Sequence, residues 1–193
     1  REYKIPLQSG LDTTGLDFGN FQWMTLGGVK FEDLNGDGQR QGNEGVYSGW
    51  HILLLDDQGT KLAETDTRAD GSYRFEKVGP LGLGDPNRSL TILEVPSANH
   101  TQTSPVRPNS YRLPLEGGKV RTDLDFGNFA HMTLGGKKFE DVNGNGQYDA
   151  ADRPLAGWTI ELDIDQNGIA DRSTTTASDG SYTFAGVPPR ADL

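Results

Sequence analysis

The sequence predicts an all-β protein: a seven-stranded antiparallel β-sandwich, present once complete and twice truncated. Three observations predict it. Apolar residues recur at period two, as at Trp50, Ile52 and Leu54 and again at Trp158, Ile160 and Leu162, which is the spacing of one strand face. The 193 residues include 26 Gly and 10 Pro, a composition suited to short strands joined by turns. No segment carries a convincing helical period.

The elements follow in order. Thr25–Glu32 is the first candidate strand and runs into a cluster of Asp, Asn and Gly. Gly49–Asp56 carries the Trp50 face, and both Trp50 and Trp158 are expected in the core. Asp57, Gln58 and Gly59 turn the chain into Lys61–Arg68, and Asp70 and Gly71 turn it again into Ser72–Val78. Leu90–Val95, Ser110–Leu115 and Val120–Phe126 complete the seven, with Glu116, Gly117 and Gly118 between the last two. Gly79–Arg88 and Ser97–Asn109 read as long loops without clustered aromatics.

An internal repeat sets the domain organisation. LDFGNF at Leu16–Phe21 returns at Leu124–Phe129, and MTLGG, KFED and Gly-Trp recur at the same offset of 108 residues. DGSY recurs at 109, so one residue has been inserted. A unit of this length suits a whole domain and not a solenoid repeat. Residues 1–21 are therefore expected to be the C-terminal tail of a preceding repeat, 22–129 a complete domain and 130–193 a truncated following one. The chain reads as a piece of a longer protein.

The strongest chemical signal lies between the first two strands of each unit. Asp33, Asn35, Asp37, Gly38, Gln39 and Glu44 fit the twelve-residue calcium-loop pattern D-x-[DN]-x-[DN]-G-x5-E. Calcium takes six to eight hard oxygens, and oxygen side chains at alternate positions can curl around it. Gln39 would offer its backbone carbonyl, Glu44 two oxygens, and Gln41 sits where a water often mediates. The second copy offers Asp141, Asn143, Asn145, Gln147 through its carbonyl, Asp149 and Asp152. A third segment places Asp163, Asp165, Asn167, the Ile169 carbonyl and Asp171 in a similar order. There a cation site and a plain polar hairpin turn stand as alternatives, because Asp, Asn and Gly favour turns without any metal. Asp70 and Asp179 are explained by turn formation.

Composition narrows the function. A net charge of −10 disfavours phosphate backbones, so no nucleic-acid partner is expected, and it favours cations such as Ca2+. Cysteine is absent, which removes disulfides and thiolate chemistry. The three His residues, His51, His100 and His131, form no catalytic or metal signature, so no enzymatic activity is expected. No apolar run is long enough to span a membrane.

The aspartate loop, the following GWHILLLDDQGTKLAETDTRADGSYRF stretch and LDFGNF together resemble the B-type repeats of serine-aspartate repeat surface proteins (SdrD B-like), relatives of the collagen-adhesin Cna B-type domains. The resemblance covers nearly the whole chain. It implies a transthyretin-like sandwich, calcium in the aspartate loops and an extracellular place as a stalk or spacer. The alternative is an adhesive module that binds a host protein or glycan. Neighbouring repeats of the same chain are the expected partners. The Cna B-type relatives often carry a Lys–Asn or Lys–Asp isopeptide bond promoted by a buried acid, and the trio to test is Lys30, Glu94 and Asn128. The buried lysine of those relatives would align nearer Phe31, so Lys30, of opposite strand parity, is expected to face solvent.

Overall fold

The computed structural model describes residues 2–81 and 88–189. Every regular element among them is a strand. Two sheets face each other within residues 24–130. One is ordered β4 (Ser72–Val78), β1 (Met24–Glu32), β9 (Phe126–Ala130) and β6 (His100–Ser104), with the short β8 (Val120–Arg121) also on β1. The other is ordered β3 (Lys61–Asp66), β2 (His51–Leu55), β5 (Ser89–Glu94) and β7 (Ser110–Pro114). The core lies between them and includes Leu26, Ile52, Leu54, Leu90, Ile92, Leu124 and Phe126. Those of β1, β2 and β5 come from alternating runs, so the inward face of these strands is the apolar one.

The sandwich departs from the expected pattern in three ways. It is mixed, because β1 runs parallel to both β8 and β9. Between those two pairings the Val29 amide is satisfied at 2.7 Å by the Asp125 side chain, which bridges the gap in the ladder. A strand, β6, lies inside the segment read as the loop Ser97–Asn109, where HTQTS has no apolar alternation to reveal it. The candidate Val120–Phe126 divides into β8 and the separate β9, buried on both faces from Phe126 to Phe129. Of the Gly79–Arg88 loop, residues 82–87 lie outside the described residues.

Lys30 does not face solvent; it is fully buried. Its parity is that of Met24 and Leu26, both buried, so it continues the inward face of β1. Phe31 is buried too, on the opposite face, because the chain leaving the aspartate loop covers it: Val46 forms a bridge to Phe31. Trp50 is only half-buried, and Trp158 is 52% exposed, so neither is a full core residue.

The second unit repeats local pairings of the first. β10 (Met132–Lys137) pairs with β15 (Ser181–Val187), and β13 (Thr159–Leu162) pairs with β14 (Arg172–Thr175), as β1 pairs with β4 and β2 with β3. β11 (Phe139–Glu140) pairs with β12 (Arg153–Pro154), where the first unit has the Phe31–Val46 bridge. Residues 2–23 form no strand.

One repeated bulge yields a stability test. Register slips between Met24 and Leu26 opposite β4, and likewise between Met132 and Leu134 opposite β15. The bulged residue is Gly186 at φ 64 in one copy and Lys77 at φ 55 in the other. A side chain in this left-handed region costs about 1 kcal/mol that glycine avoids. Lys77 is exposed, so Lys77→Gly should stabilise the first unit by about 1 kcal/mol in denaturant unfolding. Lys77→Ala, which keeps the Cβ, should not.

Candidate metal loops and a buried lysine–glutamate–asparagine cluster

The first loop follows directly from β1. Asp33 is fully buried, and its carboxylate accepts backbone N–H bonds from Gly36 at 2.7 Å, Asp37 at 3.2 Å and Gly38 at 2.7 Å. Asp37 accepts from the Gln39 amide at 2.8 Å, from Asn35 at 3.0 Å and from Gln41 at 2.6 Å. Those bonds, the one from Gln41 foremost, hold the Asp37 carboxyl below its usual range. Glu44 closes the loop by accepting from the Leu34 and Gln41 amides at 3.0 and 2.8 Å. Gly38, at φ +75, lies so close to β6 that a Cβ there would sit 2.8 Å from the Thr103 carbonyl oxygen.

The second loop reproduces this framework position by position, and the third reproduces part of it. The first acid, Asp141 or Asp163, accepts from the fifth and sixth amides, Asn145 and Gly146 or Asn167 and Gly168, at 2.7–3.2 Å. The fifth side chain, Asn145 or Asn167, accepts from Gln147 or Ile169, each at 2.7 Å. The closing acid, Asp152 or Asp171, accepts from the second amide, Val142 or Ile164, at 3.0 and 2.7 Å. A plain hairpin turn does not require a closing acid on the second amide. Segment 163–171 thus shares the first half of that framework, but its closing acid stands at the ninth position where Glu44 and Asp152 stand at the twelfth.

The candidate ligands are not equally gathered. Asp163, Asp165 and Asp171 bring carboxylate oxygens within 4.8 Å of one another, the only such acidic trio among the described residues. In the first two loops the acids are turned onto the loop's own amides, and amide side chains bridge them: Asn143 and Asn145 both donate to Asp149, at 2.9 and 3.0 Å. The donor sets are oxygen-only and hard, which suits calcium. A buried Gln41 Oε1 in the first loop has no protein hydrogen-bond partner, a further oxygen free for a ligand.

Immediately before the first loop lies a second cluster. Lys30 Nζ sits 3.0 Å from Glu94 Oε2, with both side chains essentially removed from solvent. Asn128, also buried, hydrogen-bonds Glu94 through its side chain, and its Oδ1 is left without a partner. Lys30 comes from β1, Glu94 from β5 and Asn128 from β9, so the three join both sheets. Burial lowers the Lys30 amine to about 8 against the opposing pull of Glu94. Burial likewise raises the Glu94 carboxyl above its usual value, opposed by Lys30 and Asn128. The Trp50 and Tyr47 rings lie over the amine at 4.5 and 5.6 Å. In the second unit Lys138 lies 5.2 Å from the Trp158 ring centroid, which repeats the lysine–tryptophan half of the arrangement.

Residues 132–191 match the SdrD B-like domain family. The chain is 30% identical over 186 residues to serine-aspartate repeat-containing protein D of Staphylococcus aureus (strain Newman), covering 93% of this chain and 14% of that protein. It is 24% identical over 169 residues to serine-aspartate repeat-containing protein C of the same strain, covering 82% of this chain and 17% of that protein. The chain thus spans well under a fifth of the length of these relatives. Among solved structures, shaft pilin SpaA from Lactobacillus rhamnosus GG is similar at 12% identity and a TM-score of 0.41, over 87% of this chain and 83% of that one. The chain is thus similar to the SdrD B-like repeats: the family match covers residues 132–191, and the landmarks of that unit recur 108 residues earlier.

Proposed function

We propose that this chain is a calcium-binding structural section of the stalk of a bacterial cell-surface protein, held outside the cell. The carrying observation is the closing acid that accepts the second amide in each of three oxygen-lined loops, every one placed between two strands. Asp33, Asn35, Asp37, the Gln39 carbonyl and Glu44 would hold one ion. Asp141, Asn143, Asn145, the Gln147 carbonyl, Asp149 and Asp152 would hold a second. Asp163, Asp165, Asn167, the Ile169 carbonyl and Asp171 would hold a third. Bound calcium neutralises clustered carboxylates and ties each loop to its flanking strands. Binding to the native state adds RT ln(1 + [L]/Kd), about 2.7 kcal/mol at a hundred times Kd. Titration calorimetry should therefore give heat below millimolar calcium, with a higher Tm in calcium than in chelator. Absence of heat at millimolar calcium would end the calcium reading. Bound calcium with unchanged Tm would end the stiffening reading and favour the adhesive alternative.

The buried cluster favours a second feature of the same stalk, an amide bond between Lys30 and Asn128. The neutral Lys30 amine would attack Asn128 Cγ. Protonated Glu94 would hydrogen-bond the partnerless Oδ1 and pass a proton to the departing nitrogen. The Nζ–Cγ bond forms, the Cγ–Nδ2 bond breaks, and ammonia leaves with no oxidant or cofactor. The intact chain should weigh one ammonia less than its sequence, and Lys30→Ala should weigh its full sequence mass. A full-mass wild-type chain, after folding to completion, would overturn this.

A further inference from the structure

The cation loop and the buried cluster are one mechanical unit. Three contacts join them. The Asp33 amide donates to the Asn128 carbonyl at 2.9 Å, so the first residue of the loop fixes the backbone of the amide-bearing residue. Gly38, at the loop's apex, packs on the Thr103 carbonyl of β6, and β6 pairs Gln102 directly with Asn128. After Glu44, the chain returns along β1: the Glu32 amide donates to the Gly45 carbonyl at 3.0 Å, and the Tyr47 amide donates to the Lys30 carbonyl at 3.0 Å. That return brings the Tyr47 ring over the Lys30 amine.

We propose that a divalent cation held by residues 33–44 latches the cluster, so that Lys30 joins Asn128 much faster in the loaded loop than in the empty one. This rests on both readings in the preceding section. Without a cation, Asp33, Asp37 and Glu44 repel one another. The loop then spreads, Asp33 loosens its hold on Asn128, and Gly45–Tyr47 lifts from Lys30 and admits water. With a cation, the acids draw together, and the loop clamps Asn128 from one side while it lays Tyr47 over Lys30 from the other. Amide formation depends on the placement of nucleophile and carbon to within a fraction of an ångström and on a dry site. The cation itself touches none of the reacting atoms; Asp33, Gly38 and Tyr47 are positioning residues. Their consequence for the stalk is timing: the crosslink would close once the chain meets the calcium outside the cell.

The test uses the full chain, made by cell-free synthesis and purified in urea before it can crosslink. It is diluted into calcium or chelator, and intact mass is followed over time while circular dichroism reports folding. Loss of ammonia should be roughly ten- to a hundredfold faster in calcium. Asp37→Ala, at an exposed position whose side chain carries no buried bond, should fold in both solutions and lose most of that acceleration. Equal rates with and without calcium, in a chain whose first loop calorimetry shows to be loaded, would overturn the latch alone. No ammonia loss in any solution would overturn the crosslink and the latch with it. No calcium heat would overturn the calcium reading, and the latch likewise.

Discussion

Glu94→Ala should destabilise the first unit by about 3–5 kcal/mol relative to the uncrosslinked wild-type chain, the cost of leaving one partner of a buried ion pair alone. At about 4–8 °C per kcal/mol for a domain of this size, Tm falls by at least about 12 °C. The reason is the setting of Lys30. Its amine is sealed between two sheets, and Glu94 is the acid 3.0 Å away. The Trp50 and Tyr47 rings give a weaker electrostatic hold than a carboxylate does. The pH dependence gives an independent check. Lys30 has a folded value of about 8 against an ordinary 10.5, so the unfolded chain holds more protons between those values. Stability of any uncrosslinked chain must therefore rise with pH across that window and carry the full penalty below it. Removing Glu94 removes the interaction that raises the amine's value, so the window opens at lower pH and the rise is larger. A Glu94→Ala chain within about 1 kcal/mol of wild type, with a flat profile between pH 8 and 10, would show that the cluster stores no such energy.

Much of this was legible before any coordinates. The loops were readable because their pattern is local: acid, amide and glycine at fixed positions dictate which side chain meets which amide. The 108-residue offset then carried the pattern to the second unit. The buried cluster was less legible, since its members come from three strands distant in sequence. A signal did exist. Leu26 and Lys30, then Leu90, Ile92 and Glu94, then Leu124, Phe126 and Asn128, each place one polar residue on the parity of an inward apolar run. Taking Phe31 as the inward residue concealed the first of these, because both faces of β1 are covered where the loop returns. β6 left no such trace. Its residues, His100–Ser104, are polar throughout and owe their strand to pairing with β9. The mixed sheet was hidden for a related reason: alternation gives the face of a strand and says nothing of its neighbour's direction.

Asp33→Ala should have two separable effects. The first needs no cation. The carboxylate accepts from three amides; Asp37's amide keeps a second acceptor in Asn35 at 3.1 Å, but those of Gly36 and Gly38 lose theirs. Gly36 is buried, so water cannot readily replace the acceptor. At about 1–3 kcal/mol for each stranded buried donor, the chain should lose about 2–4 kcal/mol even in chelator. The second effect is on calcium. The first loop loses its innermost oxygen donor, so calorimetry should show the heat of one loop missing, and the Tm gain from calcium should shrink. Asp37→Ala separates the two. It is exposed and leaves the Asp33 bonds in place, so it should cost little in chelator yet diminish the calcium gain nearly as much. The pair of variants thus distinguishes a loop that merely folds well from a loop that binds. If Asp33→Ala binds calcium with undiminished heat, the first loop is an Asx-rich turn of structural value only. If neither variant changes the calcium heat, the ion sits elsewhere in the chain, with the gathered carboxylates of Asp163, Asp165 and Asp171 as its place.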